Sequence, residues 1–267
     1  VRQGSGLTIF YKNVCYYRIL LIHHNKDTFM RIHFTFYLLV FYVVQIVAQR
    51  PHNAKFIWEN QDNNRHEYVY FRYDFELEAL PEKAELNIFA DSRYHLHING
   101  KGINFGPSRF YPEAPEYDTY NIVPYLKNGK NVIAVKALSN GINTYQLIRN
   151  RPGFIAWGEL KHPDKIIHIA TPDGWKCIRS TAYDQTAPKF SFAQGAIDVF
   201  DARKAVQNWD KPGIGLKNWQ KPLLVSHQDA WGTFKPRTIP FLTQQERIPH
   251  HVSGIYTLKN EEDMYSF

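Results

Sequence analysis

Cysteine and methionine are nearly missing from this 267-residue chain: the thiols are Cys15 and Cys177, the methionines Met30 and Met264. A mature chain starting near residue 50 would keep Cys177 alone, so it has no intrachain disulfide. With no cysteine-protease His/Asn pattern around it, Cys177 reads as a small buried hydrophobe. There is no HExxH, no Gly-x-Ser-x-Gly elbow and no phosphate-binding glycine loop, which removes zincins, α/β-hydrolases and P-loop enzymes. No apolar run reaches the roughly 20 residues of a membrane span, and no helical apolar period of any length precedes residue 200.

What is abundant is aromatic. Tyr and Phe number 17 and 18, aromatics make up 15% and charged residues 21%, a composition that favours a folded, sheet-rich protein. The net charge of +7 is unevenly placed. Residues 1–49 hold five basic residues and one acid, leaving 27 basic and 24 acidic residues in 50–267. No basic stripe remains there to support nucleic-acid binding.

From Met30 the chain runs Met30-Arg31, then an apolar stretch from Phe34 to Val44, then Gln45-Ile46-Val47-Ala48. A basic start, a short apolar run and a small residue form the layout of a secretory signal peptide. It predicts a signal at 30–49, upstream translation over 1–29, a secreted or periplasmic product, and membrane contact only through the signal segment.

From residue 67 the period is two. Val69, Phe71, Tyr73, Phe75 and Leu77 share one face and Tyr68, Tyr70, Arg72, Asp74 and Glu76 the other, as in a half-buried strand. Further strands are expected at 84–90, 94–98, 132–138, 154–160, 165–170 and 175–178. Asn99-Gly100 marks a hairpin, and 102–125 reads as a long ordered loop followed by an extended segment. Short strands about ten residues apart predict an all-β fold, an antiparallel β-sandwich of galactose-binding-like jelly-roll type, over 50–185. After it, a Pro/Trp-rich linker packs on the sandwich over 186–250, with a short helix near Asp201–Lys204 and Trp-rich exposed surface in 205–245. The start of a truncated following domain is expected at 251–267.

Few residues offer chemistry. Glu76 with Glu78, Glu113 with Glu116, and Asp198 with Asp201 are carboxylate pairs, but solvated surface charge explains them equally. His95 and His97 share a strand face without a third ligand, so neither a metal nor a catalytic set is assigned. No cofactor is implied, and a calcium requirement stays open. Trp58, Tyr94, Asn99, Arg109, Tyr117 and Asp118, with Asn104, Tyr111 and Tyr120, form an aromatic and planar-polar inventory suited to carbohydrate. Core packing, or an Arg109–Asp118 clamp, accounts for the same residues without a ligand.

The order of several segments resembles the N-terminal β-sandwich of bacterial α-L-rhamnosidases of glycoside hydrolase family 78. It is carried by Ile57-Trp58, Tyr70-Phe71-Arg72, Ala90-Asp91-Ser92-Arg93-Tyr94, Ile98-Asn99-Gly100-Lys101, Gly106-Pro107-Ser108-Arg109, Tyr117-Asp118-Thr119-Tyr120, and Tyr125 to Val135. Phe200-Asp201-Ala202-Arg203 and Arg237-Thr238-Ile239-Pro240 are similar to the segment after it, so that the resemblance spans about 56–250. It implies a secreted carbohydrate-active protein whose hydrolysis belongs to a helical toroid that this sequence does not contain, so no catalytic residue carries over. The expected partners are carbohydrate and that missing downstream catalytic domain. A stand-alone carbohydrate-binding module and an accessory domain of another carbohydrate-active enzyme remain alternatives at this point.

Overall fold

A computed structural model describes residues 53–244 together with 248, 251, 252 and 254. The upstream stretch 1–29, the signal segment 30–49 and all but residues 251, 252 and 254 of the following domain expected at 251–267 lie outside the described residues.

Among the described residues, twelve strands follow in order: β1 Ile57–Trp58, β2 Glu67–Leu77, β3 Lys83–Asp91, β4 Arg93–Ile98, β5 Lys101–Gly106, β6 Glu116–Asn121, β7 Gly129–Ser139, β8 Gly153–Lys161, β9 Ile166–Ala170, β10 Trp175–Arg179, β11 Leu223–Leu224 and β12 Lys235–Pro236. They form two sheets. One runs β11-β1-β8-β3-β6-β12 with β9 also on β8, and the other runs β10-β2-β7-β4-β5. All pairs are antiparallel except β12 with β6. This is the all-β sandwich that the alternating runs predict.

Local sequence explains the turn chemistry. Asn99 and Gly100 both take positive φ, 53° and 85°, as a two-residue hairpin of the tightest kind requires. Asn99 then serves its neighbours: its amide donates to the Tyr125 carbonyl at 2.9 Å and Asn131 Oδ1 at 2.8 Å, and its Oδ1 accepts from Val132 N at 2.9 Å. The hairpin is thereby tied to the start of β7.

Alternate residues of both sheets meet in an aromatic core of Phe56, Trp58, Phe71, Phe89, Phe154, Trp175 and Trp231. Phe71 and Phe154 stack across the layers at 4.6 Å. Cys177 is fully buried on β10, and burial pushes its thiol up to about 12, so it behaves as an inert apolar filler.

Three expectations need correction. The outer face of β2 is not open, because Tyr68, Tyr70 and Arg72 are buried. The chain after the sandwich covers them: Trp209 packs on Tyr70 at 4.8 Å, and Arg72 donates to the carbonyls of Trp209 at 3.0 Å and Lys211 at 3.1 Å. Secondly, residues 102–125 hold two strands, β5 and β6, around a shorter loop. Finally, the tryptophans after residue 205 are not exposed. Trp231 is 2% exposed and Trp209 and Trp219 are half-buried, while Val225, Trp231 and Phe234 join the core and β11 and β12 extend the first sheet. Before them Asp201 caps a short 3₁₀ turn at Ala202–Lys204 by accepting from Arg203 N.

Candidate functional site

Most residues nominated for sugar contact serve the interior. Trp58 is 0% exposed and its Nε1 donates to Glu67 Oε2 at 2.7 Å, so its ring has no face for a ligand. Tyr94 and Asp118 do come together, but between the sheets: the Tyr94 hydroxyl donates to Asp118 Oδ2 and lies 2.9 Å from the Tyr120 hydroxyl. On β6 the inward positions are 118 and 120, which is why an acid and a phenol there become core groups. Asn99 is occupied by its turn. Arg109 does not clamp Asp118; Arg237 does, with Nε at 2.5 Å and Nη2 at 3.2 Å. Arg109 is exposed and lines a separate hollow of about 220 Å³ with Arg93, Arg237, Phe105 and Leu147. Asn104 accepts from the adjacent Phe105 N at 2.8 Å, and Tyr111 is exposed.

The other candidates scatter. His97 Nδ1 lies 2.9 Å from Asp210 Oδ2, its ring against Trp209, whereas the His95 ring stacks on Phe105. Asp198 accepts from the Tyr68 hydroxyl at 2.9 Å, Asp201 is a cap, and Glu116 accepts from Ser108 Oγ at 2.9 Å and Thr238 Oγ1 at 2.7 Å. Glu76 and Glu78 are exposed at the end of β2 and beyond it. Among the described residues, no three His, Cys, Asp or Glu side chains gather as a metal set.

A better-formed site lies on the outer face of the first sheet. Lys83, Glu85 and Asn87 of β3 and Trp157, Glu159 and Lys161 of β8 share one face there, and register sets Lys83 opposite Lys161, Glu85 opposite Glu159 and Asn87 opposite Trp157. β9 extends the row, with His168 opposite Glu159 and Ala170 opposite Trp157. Together with Asn53 these residues line a groove of about 360 Å³. Gly158 allows the close approach of the two strands, since a Cβ there would stand 2.1 Å from the Glu85 carbonyl oxygen.

Within the groove, Trp157 is held edge-on by Tyr117 at 4.9 Å and by Phe234 at 6.5 Å. It keeps 8% of its surface open, and no acceptor among the described residues takes its indole N–H. Asn87 is fixed by Thr119, whose Oγ1 donates to Asn87 Oδ1 at 2.7 Å, and its amide faces Glu85 Oε1 at 3.3 Å. Glu159 pairs with Lys161 at 3.0 Å and faces His168 Nδ1 at 3.6 Å. Two lysines and two glutamates leave the groove without net charge when His168 is neutral.

Sequence reasoning found Tyr117 but not Trp157, Asn87, Glu85 or Glu159. The strands expected at 84–90 and 154–160 already contained these four residues. What was missing was the pairing of β3 with β8, a non-local fact that no local pattern encodes.

A family model described as the α-L-rhamnosidase N-terminal domain matches residues 80–231. Among solved structures, a family 78 rhamnosidase of Bacillus sp. GL1 is similar at 32% identity with a TM-score of 0.65, over 72% of this chain and 20% of that one. An α-L-rhamnosidase from Dictyoglumus thermophilum is similar at 19% identity and TM-score 0.55, over 70% and 22% of the two chains. One from Aspergillus terreus is similar at 19% and 0.54, over 67% and 22%. These last two speak to the fold alone. The chain thus spans about a fifth of the length of the rhamnosidases it matches. No curated protein matches it.

Proposed function

The chain belongs to the α-L-rhamnosidase N-terminal domain family, and on that premise we propose that it is the non-catalytic part of a secreted α-L-rhamnosidase-like glycoside hydrolase, serving substrate recognition or scaffolding on rhamnose-containing glycans. The observation that carries this reading is the family match over more than half of the chain, on a sandwich shared with a rhamnosidase 32% identical to it. The span of the match relative to whole rhamnosidases supports a division of labour in which turnover belongs to another part of the polypeptide. The Met30–Ala48 pattern supports export.

Two measurements test this. Purified chain is expected not to turn over an aryl α-L-rhamnoside, and measurable hydrolysis overturns the non-catalytic assignment. Expression in a bacterial host with N-terminal sequencing of the exported product is expected to give a start near residue 50; retention of residues 30–49 on a cytoplasmic product overturns the secretion reading.

A further inference from the structure

We propose that the groove over β3, β8 and β9 is a binding cleft for a neutral sugar, with Trp157 forming part of its apolar floor and Glu85, Glu159 and Asn87 meeting the ring's hydroxyls. This rests on the carbohydrate reading above and names the residues that would perform it.

Four observations lead there. The first is the pairing of a buried aromatic floor, Trp157, with planar polar groups. A sugar ring has apolar C–H patches and vicinal hydroxyls, each a donor and an acceptor, and the groove offers an indole with an unclaimed N–H, two carboxylates and a carboxamide.

The second is a pair of local conflicts. Lys83 stands opposite Lys161, and Glu85 opposite Glu159. Like charges directly across an antiparallel pair destabilise it, and a face needing only to be wet would do better with the signs alternated. Such conflicts gather where function requires them. Here the outcome is two carboxylates side by side, about 5 Å apart at Cβ, placed as acceptors for two neighbouring hydroxyls.

Shape and charge decide the class. At about 360 Å³ the groove sits near the lower end of the roughly 300–1,000 Å³ of small-ligand sites, which fits one or two rings rather than a folded partner. The balance of two ammonium and two carboxylate groups disfavours a phosphate or a polyanion and leaves a neutral polyol as the ligand that uses every group present.

Titration calorimetry on the full chain tests the assignment, with neutral oligosaccharides ending in L-rhamnose, D-galactose or D-glucose as probes. The unmodified chain is expected to bind at least one of them saturably, with a change in tryptophan fluorescence. Glu85→Ala with Glu159→Ala, both on the outer face, should weaken binding at least tenfold without lowering the melting temperature. Trp157→Phe should abolish the fluorescence change, while Arg109→Ala in the other hollow should leave affinity unaltered. If the unmodified chain binds a glycan and the double variant, still folded, binds it within twofold, the groove is not the site although the recognition reading stands. If Arg109→Ala loses binding and the groove variants do not, the site is the other hollow and this assignment is overturned. A folded chain that binds no glycan overturns the recognition reading and the groove with it.

Discussion

Arg237 forks onto Asp118 across 119 residues of chain, Nε at 2.5 Å and Nη2 at 3.2 Å from the two carboxylate oxygens. The carboxylate is fully buried and the guanidinium nearly so. The Tyr94 hydroxyl takes the same acid from the opposite sheet, and Arg237 lies over the Phe241 ring at 4.6 Å. Gly106 is what leaves room, because a Cβ there would stand 2.0 Å from Asp118 Oδ2. One ion pair therefore joins β6, β4 and the segment after β12.

Removing one partner of such a pair leaves an uncompensated charge in the interior, at a cost of roughly 3–5 kcal/mol. Arg237→Ala should lower the unfolding free energy in urea by about 3 kcal/mol or more. Adding Asp118→Asn to it should recover part of the loss, since the stranded charge is gone. Additive losses in the double variant count against the pair as described.

Asp91 supplies a pH test. It is buried at the end of β3 and accepts from Trp231 Nε1 at 3.0 Å. Burial pushes its carboxyl up to about 7, against hydrogen bonds from Trp231, Ser92 and Asn150 that pull it down. A folded pKa above the unfolded value near 3.9 gives stability that is complete below pH 4 and lost as pH rises through about 7. His66 acts oppositely, since burial lowers its pKa and costs stability as pH falls below its ordinary value near 6.5. The difference between the unmodified chain and Asp91→Asn isolates the acid. Its melting-temperature advantage for the unmodified chain should shrink from pH 5 to pH 8, and a flat difference curve would be the wrong result.

The fold was largely legible because its signals are local. Period two in 67–77 and 84–90, the Asn99-Gly100 turn and the short helical turn after Asp201 each report on a few neighbouring residues, and each appears where expected. What escaped depends on residues far apart. Nothing near Arg72 says that Trp209 and Lys211 will cover it, and nothing near Asp118 names Arg237. The site was least legible of all. An aromatic residue looks the same in sequence whether it faces a core or a groove, so Trp58 was nominated while Trp157, whose neighbours are set by strand pairing, was passed over.

The hairpin at Asn99-Gly100 should be sensitive at both positions for different reasons. Gly100→Ala places a Cβ on a residue at φ 85°, with ordinary contact to Lys211 but backbone strain of roughly 1–2 kcal/mol. Asn99→Ala removes three hydrogen bonds to Tyr125, Asn131 and Val132 and strands partners near β7, costing about 2–3 kcal/mol. Equilibrium unfolding should rank Asn99→Ala as the more damaging, and the reverse order would mean that backbone strain and not the side-chain network controls the turn.

A cluster of exposed aromatic rings lies not at the tryptophans of 205–245 but on the 140s loop and the turn near residue 190. Tyr145, Phe190 and Phe192 are 77%, 72% and 79% exposed, and Tyr145 meets Phe192 edge-on at 5.5 Å. Main-chain bonds from Tyr145 N to the Ala193 carbonyl and from Phe190 N to the Gly195 carbonyl, both 2.9 Å, shape this region without help from the two phenyl rings. Clustered rings in water favour self-association, whereas surface substitutions away from core packing change stability by no more than about 0.5 kcal/mol. Phe190→Ser with Phe192→Ser should therefore raise the concentration at which light scattering detects association of the purified chain and leave its melting temperature almost unmoved. A large drop in melting temperature would instead mean that these rings support the fold, and an unchanged association threshold would place the sticky surface elsewhere.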